Sequence, residues 1–184
     1  MLAFPSPEKW EAWLQKNHAK VDGVWVRFYK KGSGVPTVVY AEALDAALCY
    51  GWIDSQVKKY DAKSYIQKFT PRRSKSIWSK VNRGKVAALI KSGRMKAAGL
   101  AEIEAAKGDG RWKAAYDSPK DIRMPAEFLR ALRADKKAKA FFDTLNRANT
   151  YAIAWRIHTA KKPEPRARRI AQLVKMMADG TKLH

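Results

Sequence analysis

The spacing of apolar residues changes near residue 71. Before that point, two segments with helical spacing alternate with short β-branched and aromatic runs, whereas after it apolar residues recur at helical intervals. The pattern predicts an α+β fold with a small N-terminal antiparallel sheet of about three strands and a mainly helical C-terminal part. We expect one domain over 1–184, made of an α/β portion over 1–70 and a basic helical portion over 71–184.

Local signals predict the boundaries of the N-terminal elements. Ser6-Pro7-Glu8 is typical of a helix start, because Ser caps helices, Pro is tolerated in the first turn and an acid favours the positive end of the helix dipole. A second helix should run from Tyr40 to Gly51, since glycine favours a left-handed stop. The predicted strands are 24–29, 52–60 and 64–70, the last two joined as a hairpin through 61–63.

The C-terminal portion is predicted to be a series of helices separated by glycine and proline breaks. Its predicted segments are helices over about 78–92 and 95–108, a loop over 117–125, a helix opened by Pro125, a helical segment started by Phe141, Phe142 and Leu145, a continuation over 151–158, a break over 161–165, and a terminal helix over 170–180.

Charge is also unevenly distributed. The chain has 38 Lys and Arg against 17 Asp and Glu, a net charge of +21. Residues 1–60 hold eight cations and six acids, net +2, whereas 61–184 hold thirty and eleven, net +19. Between Asp61 and Glu102 eleven cations occur without an acid, although like charges at helical spacing destabilise a helix. The pattern favours a surface for an anionic partner, while a general bias toward basic residues is the alternative explanation.

The anion-binding signal is strongest over 69–80. Two adjacent arginines, several hydroxyl groups and a predicted helix N-terminus come together there, which is chemistry suited to phosphate or carboxylate groups. Phe69 and Trp78 alternate with these cations, so the segment could also bind a single strand by stacking. Both rings suit an alternative role as core anchors. A second basic stretch contains Arg156, Lys161, Lys162, Arg166, Arg168 and Arg169.

Metal and catalytic chemistry have weak support in the sequence. The three histidines, His18, His158 and His184, are widely spaced, so we expect no metal and no cofactor. Cys49 lies in an apolar helical segment and suits a buried core position better than a nucleophile. Asp54 is the one weak candidate for acid or base catalysis, because it follows an apolar run in which an acid needs a partner.

Targeting signals are not evident in the sequence. The first residues, MLAFPSP, lack the basic and apolar regions of a secretory signal, and no apolar run approaches the roughly 20 residues of a membrane-spanning helix. A lone cysteine excludes an intramolecular disulfide and gives no indication of an oxidising compartment. We therefore expect a soluble, cytoplasmic protein without a transmembrane segment.

Six ordered segments resemble the YdeI/OmpD-associated family, also called bacteriocin-protection proteins. They are EKWEAWL (8–14), GVWV (23–26) with the lysine pair at 30–31, ALCYGWID (47–54), FTPRR (69–73), SIWSKVN (76–82) and GRM (93–95). The resemblance implies a role in resistance to bacteriocins or cationic antimicrobial peptides, and association with an outer-membrane porin. It supplies no catalytic assignment.

Three functional hypotheses follow. The first is a non-enzymatic protein that binds an anionic partner, nucleic acid or a phosphorylated molecule, through a basic surface over 68–96. The second is an enzyme for a small anionic substrate, in which an arginine pair orients the substrate near Asp54. The third is a protection factor at a membrane surface or porin. The candidate ligand-binding residues are Lys30, Lys31, Trp52, Asp54, Arg72, Arg73, Ser76, Trp78, Ser79, Asn82 and Arg94.

Overall fold

The computed structural model of the chain describes residues 1–160 and 162–183, so Lys161 of the second basic stretch and His184 lie outside the described residues. The chain divides into two compact units, one over 1–115 and one from residue 116 onward, each with its own apolar core. The division falls later than the change of pattern near residue 71, because two helices after that point pack on the N-terminal core. A single domain over 1–184 stays a prediction.

A four-stranded sheet forms the base of the first unit, which confirms the predicted α+β class. Its strands are β1 (Leu2–Ala3), β2 (Val24–Tyr29), β3 (Trp52–Lys59) and β4 (Ser64–Pro71). They lie in the order β1-β2-β4-β3, and every pairing is antiparallel except that of β1 with β2. The sequence pattern predicts about three strands in this sheet, and the structure has four. The additional strand is β1, whose two residues are too few to show the alternation of apolar and polar side chains that is typical of a strand.

Four helices complete the first unit: α1 (Pro7–Asn17), α2 (Tyr40–Cys49), α3 (Lys80–Lys91) and α4 (Ala97–Gly108). The predicted start of α1 after Ser6 is confirmed, and Pro7 occupies its first turn. The predicted stop after α2 is also confirmed, since Gly51 has a φ of 74°, in the left-handed region that favours glycine.

Aromatic side chains hold α1 and α2 against one face of the sheet. Trp10, Trp52 and Phe69 are fully buried, and the rings of Trp10 and Phe69 lie 5.4 Å apart. The indole Nε1 of Trp10 donates to the carbonyl of Ala43, and that of Trp52 donates to the carbonyl of His18, each at 3.0 Å. Each ring therefore buries its apolar surface and satisfies its one polar atom.

The second unit consists of helices α5 (Ala126–Ala134), α6 (Lys136–Asp143), α7 (Arg147–His158) and α8 (Pro163–Ala178). Two boundaries predicted there are wrong. Phe141 and Phe142 lie near the end of α6 rather than at a helix start, because Asp135 caps α6 by accepting from the amide of Ala138. Pro163 begins α8 rather than breaking the chain, since a missing N–H costs nothing in a first turn.

Two glycine-to-alanine changes test the packing of α4 on α2. A Cβ at Gly99 would lie 2.3 Å from the carbonyl oxygen of Cys49, whereas one at Gly84 in α3 would meet no atom within 4 Å. Gly99→Ala should lower the free energy of unfolding by about 2 kcal/mol, because backbone atoms must separate. Gly84→Ala should raise it by about 0.5–1 kcal/mol through helix propensity. Denaturant unfolding followed by tryptophan fluorescence measures both, and equal effects would contradict the close approach of α4 to α2.

Candidate functional site

The connection between β4 and α3, residues 72–79, contains most of the candidate residues; we call it the β4–α3 loop. Arg72 begins it with only 6% of its surface exposed, and its guanidinium carbon lies 3.6 Å from the ring centre of Trp78. The same guanidinium donates to the carbonyl of Ile77 at 3.3 Å. A guanidinium that stacks on an indole loses its contact with water but is attracted electrostatically to the negative face of the ring. Arg72 therefore folds the loop back on itself.

A second buried arginine fixes the loop from the other side. Arg111, which follows α4, is 8% exposed and donates to the carbonyl of Ser76 at 2.9 Å. Its charge is balanced by the carboxylate of Asp109, which accepts from its Nε at 2.6 Å. Trp112, the next residue, packs edge-on against Trp78 at 4.9 Å. The backbone of the loop is thus held by two arginines and by two indoles that pack edge to face.

The hydroxyl groups in the loop maintain its shape. The amide of Arg73 donates to Oγ of Ser76 at 2.9 Å, and Oγ of Ser79 accepts from the amide of Asn82 at 3.0 Å as the N-cap of α3. Ser76 and Ser79 thereby form a turn and a helix cap. Arg73, Ser74 and Lys75 are exposed at the apex of the loop, and the first turn of α3 carries no acid.

Of the other candidate residues, Trp52 lies beside the start of the β4–α3 loop, paired in register with Pro71, and the rest lie outside the loop. The carboxylate of Asp54 accepts from the hydroxyl of Tyr40 at 2.8 Å, and Trp52 is buried beneath α1. Lys30 donates to the carbonyl of Ala62 at the hairpin end of the sheet, opposite the end from which the loop leaves, and Lys31 is exposed beside it. Arg94 lies 4.0 Å from Glu11 of α1. The structure therefore brings together Arg72, Arg73, Ser76, Trp78, Ser79 and Asn82.

Three residues that build this site lie outside the surface predicted over 68–96: Asp109, Arg111 and Trp112. Arg111 reaches the loop across 35 positions of the chain, a distance at which no periodicity gives a signal. Trp112 packs on Trp78 and also lies 5.1 Å below the guanidinium of Arg83. The signal in the sequence is the adjacent Arg111-Trp112 pair, because Trp112 is the first aromatic residue after Trp78.

The second basic stretch is largely engaged in the second unit. Arg166 pairs with Glu127 and donates to the carbonyl of Ile157. Arg169 donates to the carbonyl of Arg156, which joins α8 to the end of α7. The hydrogen bond from Arg166 lowers the pKa of the Glu127 carboxyl below its ordinary value. These arginines therefore stabilise helix packing.

Nucleophilic and metal chemistry find little support in the described residues. Burial raises the pKa of the Cys49 thiol, which leaves it protonated and weakly reactive at neutral pH. Across 1–160 and 162–183, no three His, Cys, Asp or Glu side chains cluster as a metal site requires. None of the helices described combines the length and apolar character needed to cross a bilayer.

Comparison with protein families gives a match for each unit. Residues 2–102 match a domain of unknown function (DUF8412), and residues 121–180 match the family described as Bacteriocin-protection, YdeI or OmpD-Associated. The six segments that carry the sequence resemblance all lie within the first match. Neither the curated proteins nor the solved structures include a match to the chain. The chain therefore belongs, through residues 2–102, to this domain family of unknown function, and its residues 121–180 match the YdeI or OmpD-associated bacteriocin-protection family that the sequence resemblance predicts.

Proposed function

We propose that the protein binds an anionic partner, nucleic acid before other phosphorylated molecules, through the β4–α3 loop and α3. The observation that carries this proposal is the difference between the adjacent side chains of Arg72 and Arg73. Arg72 is buried and holds the backbone, while Arg73 is exposed beside Lys75. A loop that is already ordered loses little conformational entropy when it binds.

The balance of charge supports the same proposal. Several cations of the acid-free stretch are neutralised: Lys85 pairs with Asp45, and Arg94 and Lys96 lie near Glu11. Neither Arg73 nor Lys75 takes part in an ion pair within the described part of the chain. Exposed cations on an ordered loop attract phosphates and release counterions when they bind them.

The family matched by residues 121–180 is described by its name as protecting against bacteriocins. A protein of net charge +21 repels a cationic peptide, so direct capture is disfavoured. We propose that any protective role acts through the anionic partner, inside the cytoplasm. The hypothesis of an enzyme for a small anionic substrate has less support. The carboxylate of Asp54 is hydrogen-bonded to Tyr40, and the side chain of Arg72 is stacked on Trp78 inside the protein, where it does not face a substrate.

Salt dependence of binding tests this proposal. The affinity of the wild type for a DNA duplex should fall linearly on a log–log plot against salt concentration, and the double variant Arg73→Gln/Lys75→Gln should reduce the slope by roughly 1.8, about 0.9 for each lost phosphate contact. Lys9→Gln/Lys16→Gln removes the same charge from the exposed side of α1 and is the matched control, which should leave the slope nearly unchanged. Equal slopes for the two variants, or no binding of DNA or RNA at low salt, would contradict the proposal.

Paired arginine variants test the separation of scaffold from contact surface. Arg72→Ala should lower the free energy of unfolding by about 2 kcal/mol, since it removes a buried cation–π contact and a charge-assisted hydrogen bond. Arg73→Ala should change it by less than about 0.5 kcal/mol, as is usual for an exposed side chain. Thermal and denaturant unfolding measure both values. A larger loss for Arg73→Ala than for Arg72→Ala would reverse the assigned roles.

A further inference from the structure

The sheet of the first unit has one face that its own helices leave uncovered. Along β2, Val26 and Phe28 are buried in the core beneath α1 and α2. The alternating residues Trp25, Arg27 and Tyr29 therefore point to the opposite face. Register places Lys68 of β4 beside Trp25, and Ile66 beside Arg27, with Lys58 of β3 beyond Ile66. We call these residues, with Tyr60 from the end of the hairpin, the outer sheet face.

Planar groups and cations are layered on the outer sheet face. The guanidinium carbon of Arg27 lies between two tyrosines, 4.5 Å from the ring centre of Tyr29 and 4.6 Å from that of Tyr60. The ammonium group of Lys58 lies 5.0 Å from the ring centre of Trp25. Tyr60 is 49% exposed, so the tyrosine–arginine–tyrosine stack has an accessible side. A nucleic-acid base is a further planar ring that can extend such a stack.

Charge on the outer sheet face is positive. Arg27 is anchored by the carboxylate of Asp61 and by Oγ of Ser64. A hydrogen bond from Ser64 lowers the pKa of Asp61, helped by the Lys63 amide and Arg27, so this acid stays ionised and is neutralised by Arg27. Lys58 and Lys68 remain uncompensated by an ion pair within the described residues. A second copy of this face would be repelled by the same charge, whereas a phosphate backbone would be attracted.

We propose that the outer sheet face binds single-stranded nucleic acid, with bases stacked on Trp25 and Tyr60 and phosphates on Lys58 and Lys68. This rests on the proposed function and names its substrate class. Stacking requires unpaired bases, because a duplex hides its base faces. Arg73 lies five positions after Lys68, so the two are at most about 18 Å apart along the chain. A nucleic-acid strand that extends past the edge of the outer sheet face can therefore reach the exposed cations of the β4–α3 loop.

Binding of single and double strands by the full-length protein tests this proposal. The probes are an oligothymidylate of about 16 nucleotides, the upper end of site sizes for stacking surfaces, and a duplex of equal length. Tyr60→Ser should weaken binding of the oligothymidylate on the order of tenfold and leave duplex binding nearly unchanged, because stacking on one base is lost. Lys58→Gln/Lys68→Gln should weaken single-strand binding more than the equally charged control Lys9→Gln/Lys16→Gln.

A measurement on the wild type keeps the test independent of variant folding. Photocrosslinking of a 5-iodouracil oligonucleotide, mapped by mass spectrometry, should label Trp25, Tyr29 or Tyr60. Crosslinks elsewhere, or equal losses for single strand and duplex in Tyr60→Ser, would overturn the outer-face proposal, while salt-dependent duplex binding sensitive to Arg73→Gln/Lys75→Gln would leave the proposed function standing. A dimer abolished by Tyr60→Ser would assign this face to a second copy. No binding of either nucleic acid would overturn both proposals.

Discussion

The stacking of Arg72 on Trp78 is the contact on which the candidate site depends. It joins the residue that directly follows β4 to the residue that precedes the cap of α3, and both side chains are buried. Burial of a guanidinium is costly, and here the ring of Trp78 and the carbonyl of Ile77 replace part of the lost hydration of Arg72. The contact sets the direction in which the chain leaves β4. It therefore also sets where Arg73 and Lys75 are displayed.

The same region shows how a positive surface is kept compatible with folding. Asp45 neutralises Lys85, and Glu11 lies near Arg94 and Lys96, so the acids that compensate these cations of the acid-free stretch come from other segments. Beyond that stretch, Asp109 neutralises Arg111. Arg73 and Lys75 at the loop apex and Lys58 on the outer sheet face stay exposed. Positive charges that lie close together repel one another and lower the stability of the fold, but they also attract a polyanion. We attribute the local excess of positive charge to the binding of such a partner.

Several elements could be predicted from the sequence because their signals are local. The β-branched and aromatic run over 24–29 and the glycine after α2 mark boundaries that the structure confirms. The start of α6 was missed because Asp135, its cap, precedes a lysine-rich turn that lacks an apolar period. At the candidate site, Arg72 and Arg73 are equivalent in the sequence pattern. In the structure the side chain of Arg72 is buried against Trp78, whereas that of Arg73 is exposed to solvent. The contribution of Arg111 could not be predicted, since tertiary packing alone brings it to Ser76.

We propose that the first unit presents the ordered cations of the β4–α3 loop to a nucleic acid. Amide NMR spectra of the protein, recorded during titration with an unlabelled oligonucleotide, test it most directly. We expect the largest chemical-shift changes in the amides of Lys68, Arg73, Ser74, Lys75 and the first turn of α3. Changes concentrated in α1 or in helices α5 to α8, with the loop unaffected, would contradict it.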